Sequence, residues 1–171
     1  ANAPRWRAPD AGAAELAALL GLAEADLHGP ALRMNTGMEQ LLVPLRSEDA
    51  LRRVRPDPAL AERHANDGGL VKIYCWAPPR DGVVPVRFFF GKQPGVLAED
   101  PGTGSAAANL GGWLCATAPG TAHRLTLHQG DHLGRACRIG LEVAADGAIR
   151  VSGRVAALGR GTVELPGALP S

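Results

Sequence analysis

The stretch Gly102-Thr103-Gly104-Ser105-Ala106-Ala107-Ala108-Asn109-Leu110-Gly111-Gly112-Trp113-Leu114-Cys115 decides how the rest of the chain is read. From Ala106 onward it is long enough for a helix and nearly free of charge. A helix apolar on every side must be buried on every side, and its Ala and Gly content means that surrounding backbone comes close. Strand patterns flank it. Upstream, Val71, Ile73 and Cys75 alternate with Lys72 and Tyr74; after the turn Pro78-Pro79-Arg80-Asp81-Gly82, Val86, Phe88 and Phe90 alternate with Arg87 and Phe89. Downstream the same period returns in Leu125 and Leu127, in Ile139, Leu141 and Val143, and in Ile149, Val151, Gly153 and Val155. The last two runs are joined at Asp146-Gly147, a hairpin signal. The expected fold class is therefore α+β, an antiparallel barrel-like sheet wrapped around a central buried helix.

The N-terminal part supplies further helices. Asp10 precedes the apolar-periodic stretch Ala11 to Leu20, with Glu15 in an early turn and Gly21 just after it, the pattern of a capped helix. Leu32 to Thr36 and Leu41 to Leu45 are extended runs broken at Gly37. Ser47 opens a short helix through Val54, and Asp57-Pro58 opens another that ends at Asp67-Gly68-Gly69. Proline at the first helical position forfeits no hydrogen bond.

With 171 residues the chain reads as a single domain, residues 1–171, long enough for its own core. Hydrophobic residues make up 46% and charged residues 20%, which excludes a disordered tail, a coiled coil and a fibrous repeat. The 22 glycines and 14 prolines punctuate short apolar runs, which favours strands and turns. Eighteen Lys+Arg against 17 Asp+Glu leave a formal charge of +1, and no segment interleaves basic and aromatic residues, so no nucleic-acid partner is expected. Cys75, Cys115 and Cys137 are an odd number without Cys-x-x-Cys spacing, arguing against a disulfide framework or a zinc knuckle. A reducing compartment fits them. No run has membrane-spanning length and the start lacks the apolar core of a secretory signal, so a cytoplasmic location without a membrane partner is expected.

Glu99-Asp100-Pro101-Gly102-Thr103-Gly104-Ser105 delivers two carboxylates and a hydroxyl to the mouth of the buried helix. A helix N-terminus offers unpaired N–H groups and partial positive charge, and Gly102 and Gly104 allow close approach, which outlines an anion site. A small carboxylate on the N–H groups of Gly104 and Ser105 would lie within reach of Asp100, which could exchange or orient a proton. The same residues also read as an ordinary cap, with Ser105 or Thr103 at the N-cap position and Asp100 offsetting the dipole. Local sequence leaves both readings open. No Lys follows the glycines, so this is not a P-loop, and Ala107 stands where a dinucleotide fingerprint needs its third Gly. Gln129 points toward the apolar face and needs a partner, backbone or ligand. His128 and His132 flank the turn Gln129-Gly130-Asp131, which does not suit a metal pair, and no metal site is expected. His64 reads as a boundary-face residue, Cys115 as too deep for a catalytic thiol, and Trp76 and Trp113 as core or interface mass whose N–H groups need acceptors.

Four motifs in order then carry a resemblance: Val86-Arg87-Phe88-Phe89; Glu99-Asp100-Pro101-Gly102-Thr103-Gly104-Ser105-Ala106; Gln129-Gly130 with Gly134-Arg135; and Val151-Ser152-Gly153-Arg154. They resemble the C-terminal half of the PhzF-like isomerase family of phenazine biosynthesis. Leu19-Leu20-Gly21-Leu22 and Asn35-Thr36-Gly37 with Leu41-Leu42-Val43-Pro44-Leu45 resemble the entry into that half. The resemblance implies one half of a diaminopimelate epimerase-like fold, two similar domains with the active site in the cleft between them. It implies a cofactor-independent isomerase that moves a proton on a small cyclic or unsaturated carboxylic acid, with Asp100 catalytic and Gly102, Thr103, Gly104, Ser105 and Gln129 binding substrate. Racemase and epimerase relatives place a cysteine where Asp100 stands, so a two-thiol mechanism is disfavoured. The family's principal acid/base lies in an N-terminal half that no segment here resembles. That half is expected as a separate chain or as sequence lost from this one, with a homodimer as another arrangement. A non-catalytic module that binds small carboxylates or proteins on the same fold is the alternative.

Overall fold

The computed structural model describes residues 2–93 and 95–162, so the expected domain extends past the described residues at both ends. In chain order the elements are β1 (Arg5–Arg7), α1 (Ala13–Leu20), β2 (Leu32–Asn35), β3 (Glu39–Pro44), α2 (Glu48–Arg53), α3 (Pro58–Ala65), β4 (Asn66–Asp67), β5 (Leu70–Trp76), β6 (Val83–Gln93), β7 (Val96–Asp100), α4 (Gly104–Thr117), β8 (His123–Gln129), β9 (Cys137–Val143) and β10 (Ile149–Gly153). The strands form one curled sheet in the order β1-β2-β3-β5-β6-β8-β9-β10, with β4 on β5 and β7 on β6. Most pairs are antiparallel, and β8-β9-β10 is the meander read from the sequence. Two pairs are parallel: β3 with β5, and β6 with β8. Both have helices in the connection, α2 and α3 in the first and α4 in the second, as a crossover to a parallel strand requires.

The curl encloses α4. Ala106, Ala107 and Leu110 pack with Met34, Leu42, Tyr74, Phe88, Leu127 and Leu141 on the inner face of the sheet. The consecutive glycines of α4 touch opposite walls. A Cβ on Gly111 would stand 2.7 Å from Ile149 Cγ2 and 3.2 Å from Leu141 Cδ1, whereas one on Gly112 would stand 2.8 Å from Met34 Sδ and 3.0 Å from Pro4 Cβ. The curl closes around the helix because neither residue has a side chain. Enclosure is incomplete, however. Trp113 to Ala116 are only half buried, and among the described residues β1 and β10 do not pair with each other. The expectation of burial on every side holds for the first half of the helix.

The outer face is covered as well. Leu19 and Leu20 of α1, Ala50 and Leu51 of α2 and Ala61 and Ala65 of α3 pack on Leu41, Val43, Ile73 and Cys75. Period two along β5 therefore separates two apolar faces, with Ile73 and Cys75 outward and Tyr74 and Trp76 inward. The one-face reading of these strands is corrected by this outer helical layer.

Local signals set most boundaries. Ser47 Oγ accepts from Ala50 N (3.1 Å) and Asp57 Oδ1 from Leu60 N (2.9 Å), capping α2 and α3 as the sequence predicts. Gly21, at φ 67°, ends α1 in the left-handed conformation. Three boundaries differ from expectation. The N-cap of α1 is Gly12, held by Glu15 (2.9 Å), and not Asp10, which stands outside the helix. Helix α3 stops at Ala65 because residues 66–67 pair with β5. Strand β10 ends at Gly153, leaving Val155 beyond it and 95% exposed.

Candidate functional site

Asp100 is the last residue of β7, opposite Phe88 in the register, and it reaches the inner face at the mouth of α4. Glu99 goes the other way. It lies opposite Phe89 and receives Arg87 in a two-pronged ion pair, Nε to Oε1 at 2.9 Å and Nη2 to Oε2 at 2.7 Å. Arg87 Nη1 also donates to the carbonyls of Leu51 and Val54, both at 3.0 Å, at the end of α2. The expectation of two carboxylates at the helix mouth is thus corrected to one, because consecutive residues of a strand face opposite sides.

Thr103 occupies the N-cap position of α4, yet its side chain accepts no bond from the helix. Its hydroxyl instead donates to Asp100 Oδ2 in a short hydrogen bond. Gln129 fixes this arrangement from β8. Its Nε2 donates to Asp100 O (2.7 Å) and Thr103 Oγ1 (3.0 Å), and its Oε1 accepts from Thr103 N (3.2 Å). Gln129 is fully buried and does not line the cavity; it acts by holding the turn from residue 100 to residue 103. The chain of donors from amide to hydroxyl to carboxylate polarises each bond in turn.

One consequence is that the start of α4 is uncapped. The first N–H engaged within the helix region is that of Ala107, which donates to Thr103 O (3.1 Å). The N–H groups of Gly104, Ser105 and Ala106 precede it and face the mouth with the positive end of the helix dipole. A Cβ on Gly104 would meet nothing within 4 Å, so this approach is open. Gly102 is different: a Cβ there would stand 2.6 Å from Cys137 Sγ, so its free side is filled by β9 and it contributes backbone only.

Above the mouth lies an open cavity of about 320 Å³. Its lining includes Asp100, Thr103 and Ser105 from the predicted set. It also includes Gln40 of β3 and Lys72 of β5, which sequence reasoning missed. Phe88 and Phe90 form one wall, their rings stacked at 6.5 Å with planes 18° apart. Gln40 Nε2 donates to Ser105 Oγ (3.1 Å), while its Oε1 is buried without a partner. Met38 and Leu70 stand at the rim, 46% and 52% exposed.

The rim is tied to the helix by Asn109, another residue whose role the sequence did not reveal. Its Oδ1 accepts from Thr36 N (2.9 Å) and Thr36 Oγ1 (2.7 Å), and its Nδ2 donates to Met38 O (2.9 Å). The link from β2 to β3, and with it Gln40, is thereby held over the mouth. A signal was available for Asn109, since a polar residue inside an apolar buried helix needs partners. Lys72 carried one too: it shares the period of Tyr74 and Trp76, the face that packs around α4.

The remaining sequence candidates lie elsewhere. Cys115 is half buried on the distal half of α4 with its thiol raised by burial, and Cys75 is fully buried with its thiol pushed up to about 12. Trp113 Nε1 donates to Pro30 O (2.9 Å), and its ring meets Trp76 edge-on at 5.0 Å. His64 is half buried on α3. Among the described residues no three His, Cys, Asp or Glu side chains cluster so as to hold a metal ion, and no helix is long and apolar enough to cross a membrane.

Residues 1–164 match the family described as phenazine biosynthesis-like protein, PhzC-PhzF. The chain belongs to that family. An uncharacterized isomerase of Pasteurella multocida (strain Pm70) is 41% identical over 148 residues, which is 86% of this chain and 49% of that protein. The crystal structure of a PhzF-family phenazine biosynthesis protein from Bacillus anthracis matches with a TM-score of 0.71 at 21% identity, over 88% of this chain and 54% of that one. A predicted epimerase from Pseudomonas aeruginosa matches with a TM-score of 0.63 at 28% identity, over 89% of this chain and 52% of that one. This PhzC-PhzF chain therefore spans about half the length of the relatives it matches. Its curled sheet around α4 is the fold that it shares with the two solved structures.

Proposed function

We propose that this chain carries one wall of the active site of a cofactor-independent PhzF-like isomerase, which moves a proton on a small cyclic or unsaturated carboxylic acid. The observation that carries the reading is the mouth of α4. Thr103 turns its hydroxyl to Asp100 and leaves the N–H groups of Gly104 and Ser105 uncapped beside that carboxylate. An ordinary cap would satisfy the N–H of Ser105 or Ala106 with the Thr103 oxygen. Here the uncapped donors suit a substrate carboxylate instead.

In this mechanism Gly104 and Ser105 N–H hold the substrate carboxylate, and the Ser105 hydroxyl, fixed by Gln40, orients it. Asp100 exchanges or orients the proton, held in place by Thr103 and, through the turn, by Gln129. Moving a proton between carbons asks for positioned groups of suitable pKa, and holding them near the substrate supplies much of the rate. The principal acid/base comes from the complementary half, on another polypeptide or on more of the same one. The apolar rim at Met38 and Leu70 supports a partner surface closing over the cavity, and the half-length match to each relative supports the same view. The three free cysteines suit the cytoplasm.

The half-length match also favours a second reading, a binding module that keeps the anion-holding helix mouth and performs no reaction. The variant Asp100→Asn separates the two. With both halves present, the isomerase reading predicts loss of turnover by roughly 10²–10⁴-fold, with ligand affinity retained. Turnover unchanged in Asp100→Asn would remove Asp100 from the chemistry, and ligand binding without any turnover in the parent protein would favour the module.

A further inference from the structure

Lys72 enters the cavity from β5 with its side chain only 9% exposed. The carboxylate that pairs with it, Asp67, is 3.8 Å away and itself 43% exposed. That pair is long, and an ammonium is held firmly only by close, well-formed contacts, so Lys72 is weakly engaged. Nothing in the packing of the inner face calls for a cation there. A methionine or leucine would continue the apolar surface of Tyr74 and Trp76.

Across the cavity the electrostatics have a complementary deficit. Asp100 sets a negative charge beside the α4 N-terminus, whose dipole is equivalent to only about half an elementary charge. A substrate carboxylate placed on the Gly104 and Ser105 N–H groups meets repulsion from Asp100 that the helix end alone does not offset. Lys72 is the one cation among the described residues lining the cavity. The buried, unpartnered Oε1 of Gln40 on the neighbouring strand only accepts, so it suits an N–H or O–H of a ligand and not its carboxylate.

We propose that Lys72 determines the selectivity of this site for anions: its ammonium neutralises the carboxylate of the ligand held at the α4 mouth. The inference rests on the anion-binding reading of that mouth and adds the charge it lacks. The poorly paired Lys72 then has an explanation, a missing ligand carboxylate. The Phe88 and Phe90 wall takes the flat apolar body of the same ligand.

The test uses benzoate as the anionic probe and benzamide as its neutral counterpart, titrated into the isotopically labelled chain and followed by amide NMR shifts. Benzoate is expected to move the Gly104 and Ser105 amides. Lys72→Gln weakens benzoate by about tenfold or more, as removal of a charged hydrogen-bond partner does, leaves benzamide unchanged, and is rescued by Lys72→Arg. Equal benzoate affinity in Lys72→Gln and the parent overturns the inference, as does a parent chain that fails to bind benzoate at tens of millimolar. A Lys72→Gln chain whose benzamide shifts match those of the parent is folded, so the comparison does not rest on stability. Selective loss of benzoate in a protein that exchanges no substrate proton would keep Lys72 and remove the isomerase reading. Proton exchange undiminished in Lys72→Gln would do the reverse.

Discussion

Glu99 and Asp100 are consecutive residues of β7 whose carboxylates act on opposite faces of the sheet. Glu99 closes a buried ion pair with Arg87 under the end of α2, and Asp100 takes the Thr103 hydroxyl at the mouth of α4. One strand thus joins the outer helical layer to the site. The Arg87 and Glu99 side chains are 6% and 9% exposed, so removing one partner leaves a charge buried without compensation. Glu99→Gln or Arg87→Met is expected to cost about 3–5 kcal/mol in urea unfolding. Arg87→Lys should recover little, because lysine cannot hold both Glu99 oxygens and the α2 carbonyls with one planar fork. A loss below about 1 kcal/mol, as surface pairs give, would contradict the structural role of Glu99.

Adding a methyl group to α4 tests the enclosure. Alanine favours a helix over glycine by about 1 kcal/mol, but Gly111→Ala and Gly112→Ala drive a Cβ into Ile149 and Met34 respectively. Overpacking of that kind costs typically 1–3 kcal/mol, so both variants are expected to be less stable than the parent in thermal or urea melts. Gly104→Ala meets open space and is expected to leave stability unchanged while narrowing the anion approach. Stabilisation by Gly111→Ala would mean that the sheet does not grip the helix as described.

Asn109→Ala strips Thr36 N and Met38 O of their partners. Leaving buried polar groups unsatisfied costs about 1–3 kcal/mol each. Beyond the stability loss, the variant is expected to broaden the amide signals of residues 36–40, where Gln40 is held over the mouth. Sharp, unshifted signals there would show that the link between β2 and β3 does not depend on α4.

Cys75 carries a pH prediction. Burial favours its neutral thiol and pushes its pKa up to about 12 from the ordinary 9.0. At pH 8 its thiolate fraction is then lower by roughly a thousandfold, and the thiolate is the reactive form. In the native protein a disulfide reagent at pH 8 is expected to spare Cys75 while Cys115 and Cys137, both half buried, react more readily. Unfolding in urea should bring Cys75 to the ordinary thiol rate. Fast native labelling of Cys75, located by peptide mass, would contradict its place in the outer core.

Local chemistry made part of this legible in advance. Ser47, Asp57-Pro58 and Gly21 announce helix ends because their hydrogen bonds and dihedrals involve near neighbours only. The uncharged stretch from Ala106 to Cys115 announces a central helix, because no sequence of that composition can face water all round. What stayed hidden depends on partners remote in sequence. Lys72 and Tyr74 read as a polar face until α1, α2 and α3 are seen to cover the other side. Gln40 and Asn109 gain their roles from residues 65 and 73 positions away. The split between Glu99 and Asp100 follows from strand period, but only the place of Arg87 tells which carboxylate faces the site.

The central claim is that the α4 mouth, with Asp100 beside uncapped N–H groups, takes part in moving a proton on a carbon acid. Its most direct test is solvent-deuterium incorporation, followed by mass spectrometry, into a panel of small unsaturated cyclic carboxylic acids incubated in D2O with the protein carrying both halves. The account predicts deuterium at a carbon position of at least one acid, with incorporation abolished in Asp100→Asn. No incorporation across the panel, or incorporation that survives Asp100→Asn unchanged, would contradict it.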